Sequence, residues 1–439
     1  MKLPWRKDVA PAERVLLLAA VACLLATVTN LVPLSAGLAL PAVLAPFLLV
    51  RRRTVPRITA ALALLLGYFF VWTVIYDPAS LAEYAFFRRD GNVFITYAPL
   101  LFLSLLHLDL RLDSLVRAFL YVAGALNVVF LGIYAVTGGT IFFYEEGIYH
   151  FLFHAHNAAG GFLAVTTAMS AGYFYATREG RFLLLTATNF LGLLAADSRG
   201  SMLGLLMALG IVFVLRGRFM RTAVLAMIVV QLAGVVALHR ISSPEIFLRD
   251  YPGELDFEGG AFDALPRVHT VALRALYLWP RAWHLFQASP LVGTGFGSYN
   301  DLPLALEGMP PLYRTNQPDI VVHSDAHAHH TFLHVLAETG VLGLGLLIGF
   351  LVQARRFILS IRLPALRYAF ELVLWVNIVS SFTEHRLFTP SQMLPFVILL
   401  GLAVANREFE RLRAQRAVLL AGDMPAPVLL PAPRAVITA

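Results

Sequence analysis

The stretch His323-Ser324-Asp325-Ala326-His327-Ala328-His329-His330-Thr331-Phe332-Leu333-His334 packs five histidines into twelve residues, where a polar segment runs into an apolar one. Imidazole changes charge near neutral pH, so a neutral ring there can accept a proton from an attacking group. His329 stands at the start of the apolar segment, and a helix N-terminus favours the neutral ring over imidazolium. Metal binding is the rival reading. His323 and His327 are four apart, as are His330 and His334, and Glu338 follows four further on. The glutamate of a His-Glu-x-x-His motif is missing, and the expectation is a working base at His329 with no metal and no other cofactor.

Arginines form the second set. Arg267, Arg274 and Arg281 recur every seventh residue and would share one face of a helix. Arg199 lies in the short turn Asp197-Ser198-Arg199-Gly200-Ser201. A planar guanidinium suits a two-point grip on phosphate. The blander alternative is that these arginines are solvated, in a chain that carries 32 Arg and only 2 Lys. Glu384-His385-Arg386 reads either as a self-satisfied salt bridge or as part of the same site. The aromatic run around His156, from Tyr149 to Asn157, reads as structural, with His156, His330, Glu384 and Arg386 as possible supporting residues. Together the sets can neutralise a lipid-linked phosphate and remove a proton from an alcohol. Glycosyl transfer from a polyprenyl pyrophosphate requires both.

The elements that must hold these residues are apolar helices. Hydrophobic residues make up 59% of the 439 and charged residues 14%, against about 25% charged in soluble chains. This composition reads as an integral membrane protein. Twelve apolar segments fall near 14–32, 34–50, 58–76, 92–108, 115–136, 157–177, 182–197, 200–215, 222–238, 331–352, 365–382 and 388–405; the fourth, seventh and eighth are short. None alternates like a strand, so the expected fold is all-α, a polytopic bundle of about twelve transmembrane helices. The first segment reads as an uncleaved helix behind a basic lead. With the N-terminus inside, the inner connections hold 24 of the 34 basic residues, which places both termini in the cytoplasm. The net charge of +7 is thus mostly membrane-orienting and does not imply nucleic acid. The single Cys23 forms no intrachain disulfide.

The expected organisation is helices one to nine over 1–238, an outer loop domain over 239–328, helices ten to twelve over 329–405, and a disordered cytoplasmic tail over 406–439. Within the outer loop, Arg267 to Gln287 reads as an amphipathic helix kinked at Pro280, followed by the glycine-rich turn Pro290-Leu291-Val292-Gly293-Thr294-Gly295. The histidine run, Arg199, the loop arginines and Glu384-His385-Arg386 all fall on outer connections.

At these residues the chain resembles the O-antigen ligase family, whose superfamily also holds O-antigen polymerases and bacterial protein O-oligosaccharyltransferases. Ser198-Arg199-Gly200-Ser201 is similar to the family's Ser-Arg-Gly turn. Trp279 to Trp283, Phe286 and Pro290 to Gly295 are similar to its Trp…Trp…Phe…Pro-x-x-Gly-x-Gly signature. His329 to Gly343 is similar to its His-Asn-x-x-Leu…Glu-x-Gly-x-x-Gly element, with His330 in the Asn place. The resemblance implies an undecaprenyl-pyrophosphate-linked glycan donor and a lipid A-core acceptor, both reaching the site from the membrane lipids. It implies Arg199 and Arg274, with Arg267 or Arg281, on the pyrophosphate, and His329 as the base. It further implies inversion at the anomeric carbon, no metal, and a site on the periplasmic face of a bacterial inner membrane. A polymerase or oligosaccharyltransferase shares this donor chemistry. A polysaccharide transporter or flippase is a more distant alternative, since it would place its charges deep in the helices.

Overall fold

The computed structural model describes residues 18, 20–22, 24–27, 55–82, 86–87, 90–140, 147–153, 155–214, 229, 274, 278–301 and 327–422. They form α1 (Arg57–Tyr76), α2 (Asn92–Leu103), α3 (Leu112–Thr137), α4 (His156–Thr177), α5 (Gly180–Ala195), α6 (Arg199–Leu209), α7 (Trp279–Ala288), α8 (Thr331–Leu359), α9 (Pro364–Ser380) and α10 (Pro390–Gly422). The described residues are all-helical, with no β-sheet. Expected segments from 58–76 to 200–215 and from 331–352 to 388–405 coincide with these helices. Segment 34–50, and segment 222–238 apart from Val229, lie outside the described residues.

Among the described residues, four helices are long and apolar enough to cross a membrane: α1, α3, α8 and α10 over Pro390–Arg413. The three segments that read as short in the sequence are short here as well, as Asn92–Leu103, Gly180–Ala195 and Arg199–Phe213. At the centre stands α4, which packs against α9, α5, α6 and α10. Its small residues explain that position. A Cβ at Gly172 would lie 2.5 Å from the Ala369 backbone nitrogen, so only glycine lets α4 and α9 approach so closely.

The connections separate by end. Those expected on the inner side join one another: Arg117 pairs with Asp113 at 2.7 Å and Glu179 at 3.2 Å, and Asn406 Oδ1 accepts from the Leu110 N–H at 3.0 Å. Those expected on the outer side meet at the other end, where Asp90, the Ser198 turn, residues 289–298, His327 to His330 and residues 381–386 converge.

Pro280 stands in the first turn of α7, where its missing N–H costs nothing, and most of the residues ahead of it in the expected helix, 267–273 and 275–277, lie outside the described residues. One expectation is corrected. The tail expected from 406 is helical as far as Gly422. Its Arg, Glu, Ala, Gln and Leu residues are strong helix formers, and Arg411 reaches Glu408 one turn back at 3.7 Å.

Candidate functional site

The site rests on a break in α8. Gly340 has φ 62° and ψ −166°, a conformation open in practice to glycine alone, and it divides the helix. A break leaves carbonyls unpaired above it and N–H groups unpaired below. The glycine-rich turn satisfies both. Thr294 and Gly295 donate to the carbonyls of Ala337 and Glu338 at 3.2 and 3.0 Å, while Val341 and Leu342 donate to Pro290 and Leu291 at 2.9 and 3.2 Å. The backbones touch: a Cβ on Gly293 would lie 2.1 Å from the Glu338 carbonyl carbon, and one on Gly340 would lie 2.4 Å from that of Leu291. From α1, Trp72 Nε1 donates to the Glu338 carbonyl at 3.1 Å and the Tyr68 hydroxyl to that of Thr339 at 3.2 Å. The two glycine motifs thus form one interlocked joint.

Four imidazoles gather above this joint. The His327 and His329 rings lie 4.2 Å apart, His327 and His385 5.1 Å, and His385 and His334 4.7 Å. His334 Nε2 meets Asp90 Oδ1 at 2.8 Å and lies 3.4 Å from Glu338 Oε2. The other oxygen of Glu338 accepts from the Tyr299 N–H at 3.0 Å. Burial pushes His327 down to about 4 and holds His329 and His385 well below the usual histidine range. At His329, its neighbours His327 and Arg274 press in the same direction. The result is a neutral ring that keeps its free lone pair.

His329 and His330 divide the labour. His330 is the N-cap of α8, and its Nδ1 accepts from the Leu333 N–H at 3.1 Å. An Asn side-chain oxygen makes the same kind of bond at a helix N-cap. His330 is buried against Trp279 and Phe382. His329 is half-buried and held at φ 47°, a left-handed conformation that is costly for a residue with a side chain.

Arg274 is the only member of the sevenfold arginine set whose side chain the structure describes. It lies ahead of α7 and donates from Nη1 to the Thr383 carbonyl at 3.0 Å, with burial lowering its pKa and Glu384 opposing. Arg267 lies outside the described residues; Arg281 lies in α7, but its side chain does not fall among those described. Arg199 opens α6 with its side chain 67% exposed and, among the described residues, a single ion-pair contact, to Asp197 at 3.9 Å, which leaves most of its guanidinium exposed.

Arg386 is the opposite case. It is 1% exposed and donates from Nη2 to Glu384 and Ser201, both at 2.6 Å, with Nη1 3.5 Å from the Asn157 carbonyl. A Cβ on Gly161 would sit 1.8 Å from Nη1, so glycine at 161 makes the room. Glu384 and Arg386 therefore tie α4 and α6 to the turn after α9 and have no charge to spare. His156 starts α4 and packs its ring on His150 at 6.0 Å, with no contact to the four-imidazole cluster among the interactions described.

Asp90 is the residue the sequence reading missed. A lone acid in an outer connection carries no motif, and only the fold brings it to His334, 244 positions away.

The apolar helices make this a multi-pass helical membrane protein, and the family matched over residues 182–348 implies a glycosyltransferase-like enzyme of the ligase and polymerase type. Residues 182–348 match the family model described as O-Antigen ligase, and over that stretch the chain carries the domain of the O-antigen ligase family. The match takes in the Ser198 turn, α7, the glycine joint and the histidine run. It leaves out Asp90, His156 and the Glu384–Arg386 pair. No curated protein matches the chain.

Proposed function

We propose that this protein is an O-antigen ligase that transfers glycan from undecaprenyl pyrophosphate to a sugar hydroxyl of lipid A-core. It crosses the bacterial inner membrane twelve times with both termini in the cytoplasm and works on the periplasmic face. The observation that carries this reading is the half-open, neutral His329 beside Arg274, inside the stretch that matches the family. The acceptor oxygen attacks the anomeric carbon from the face opposite the pyrophosphate, giving inversion. Its proton passes to the free lone pair of His329 and on to solvent. The bond from the anomeric carbon to the pyrophosphate oxygen breaks, and the lipid pyrophosphate leaves with the electron pair.

Arg199 and Arg274 hold that pyrophosphate and offset the charge it gains, with Arg267 or Arg281 as further contacts. The positive charge comes from guanidinium, so transfer itself uses no metal. Arg386 is spent on Glu384 and Ser201 and supports the site by holding its turn.

A deletion strain tests the reading by its lipopolysaccharide gel. Loss of all capped species, restored by the wild-type chain, is the expected result. A single capped repeat would instead assign a polymerase. His329→Ala and Arg199→Ala should each fail to restore capping while the chain still inserts; full capping by either would overturn the site assignment.

A further inference from the structure

We propose that Asp90, His334 and His385 bind one divalent transition-metal ion of the zinc class, and that this ion clamps two outer connections to the head of α8. The three residues come from separate parts of the fold: the connection between α1 and α2, the first turn of α8, and the turn between α9 and α10. One ligand atom from each lies within 4.8 Å of the others. Two tetrahedral ligands about 2.1 Å from a shared ion stand about 3.4 Å apart, so the widest pair must close by up to about 1.4 Å. Rotation of the His385 ring, which no hydrogen bond holds among the described residues, supplies that movement.

The second observation is His385 itself. It is 9% exposed, and neither ring nitrogen has a hydrogen-bond partner among the described residues. A buried polar group left unpaired costs roughly 1–3 kcal/mol, so a ring in that position calls for a ligand. Its surroundings are rings: His334, His327 and the edge of Phe388 at 5.0 Å. Burial keeps His385 neutral, the form that coordinates metal. Two imidazoles and one carboxylate favour zinc and its neighbours over magnesium or calcium. The proton now held between His334 Nε2 and Asp90 Oδ1 would leave as the ion enters. Glu338 stands behind His334 at 3.4 Å with its other oxygen fixed by the Tyr299 N–H, the kind of outer partner that orients a ligand.

This set differs from the histidine pairs that the sequence suggests, since His330 is committed to its helix cap. The clamp is also independent of the transfer chemistry, because charge on the donor falls to the arginines.

Its test uses the full chain in detergent, with any affinity tag removed and the protein stripped by chelator. Co²⁺ and Zn²⁺ are then titrated in. The expected result is one equivalent bound, d–d absorption bands from Co²⁺, and a rise in the unfolding midpoint with Zn²⁺. Asp90→Asn and His385→Gln should each weaken binding by at least about tenfold and lose the Zn²⁺-dependent midpoint shift. His284→Gln, which removes an exposed ring in α7, should change neither. Wild-type chain that binds less than half an equivalent overturns the proposal. So does binding undiminished in either well-folded variant, and two variants allow for one that fails to fold.

Discussion

Gly340→Ala separates a structural joint from an ordinary helix position. Alanine would have to adopt φ 62° with ψ −166°, which costs about 1–3 kcal/mol. Its Cβ would also lie 2.4 Å from the Leu291 carbonyl carbon and oxygen, both backbone atoms with no freedom to rotate away. The turn must therefore lift, which strains the four backbone hydrogen bonds between residues 290–295 and 337–342. Losing two of them adds about 1–3 kcal/mol. The total is roughly 2–6 kcal/mol, and at about 2 °C per kcal/mol the unfolding midpoint falls by about 4–12 °C. Gly345 and Gly349 in the same helix are the controls. A Cβ at either meets nothing within 4 Å, so Gly349→Ala should be neutral or stabilising by up to about 1 kcal/mol. Thermal unfolding of the purified chain in detergent reads both. Equal midpoints for Gly340→Ala and Gly349→Ala would refute the joint.

Other perturbations separate the remaining roles. His330→Asn should keep stability near wild type because Asn retains the cap, while His330→Ala should lose about 1 kcal/mol, read by the same melts. Arg386→Gln leaves Glu384 buried without its partner and should cost about 3–5 kcal/mol, measured as loss of folded protein after purification. Activity against pH tests His329. Its folded pKa lies well below 6.5, so the neutral base persists as pH falls through 6.5 and is lost only when pH reaches the lowered value. Transfer by purified protein should thus stay within about twofold between pH 7.5 and pH 6; a half-maximal loss near 6.5 would contradict a base whose pKa is lowered.

Much of the fold was legible because bilayer thickness imposes a length on apolar runs. Segments 58–76 and 115–136 lie within a residue or a few of α1 and α3 for that reason. The glycine motifs were legible as turns, but their mutual docking was not. Residues 293 and 340 meet only once the chain is folded, and spacing along the chain carries no sign of it. The histidine run announced itself by density, yet density could not assign roles. His330 became a cap because its ring nitrogen reaches the Leu333 N–H. His334 became the partner of Asp90, a residue with no local pattern to mark it. The Glu384–Arg386 ion pair followed from sequence proximity, whereas its tie to Ser201 depended on the room left at Gly161.

The break at Gly340 also sets a depth. Residues 341–354, between the break and Arg355, run about 21 Å at 1.5 Å each, about two thirds of the hydrocarbon thickness of about 30 Å. The lower part of α8 therefore supplies most of a crossing. The half-helix above the break, Thr331 to Thr339, then stands toward the border. His334 and Glu338 lie on that upper piece. The glycine joint thus acts as a depth gauge: it lets a single helix carry ionisable groups at its head while its shaft carries no charge down to the basic residues at its far end.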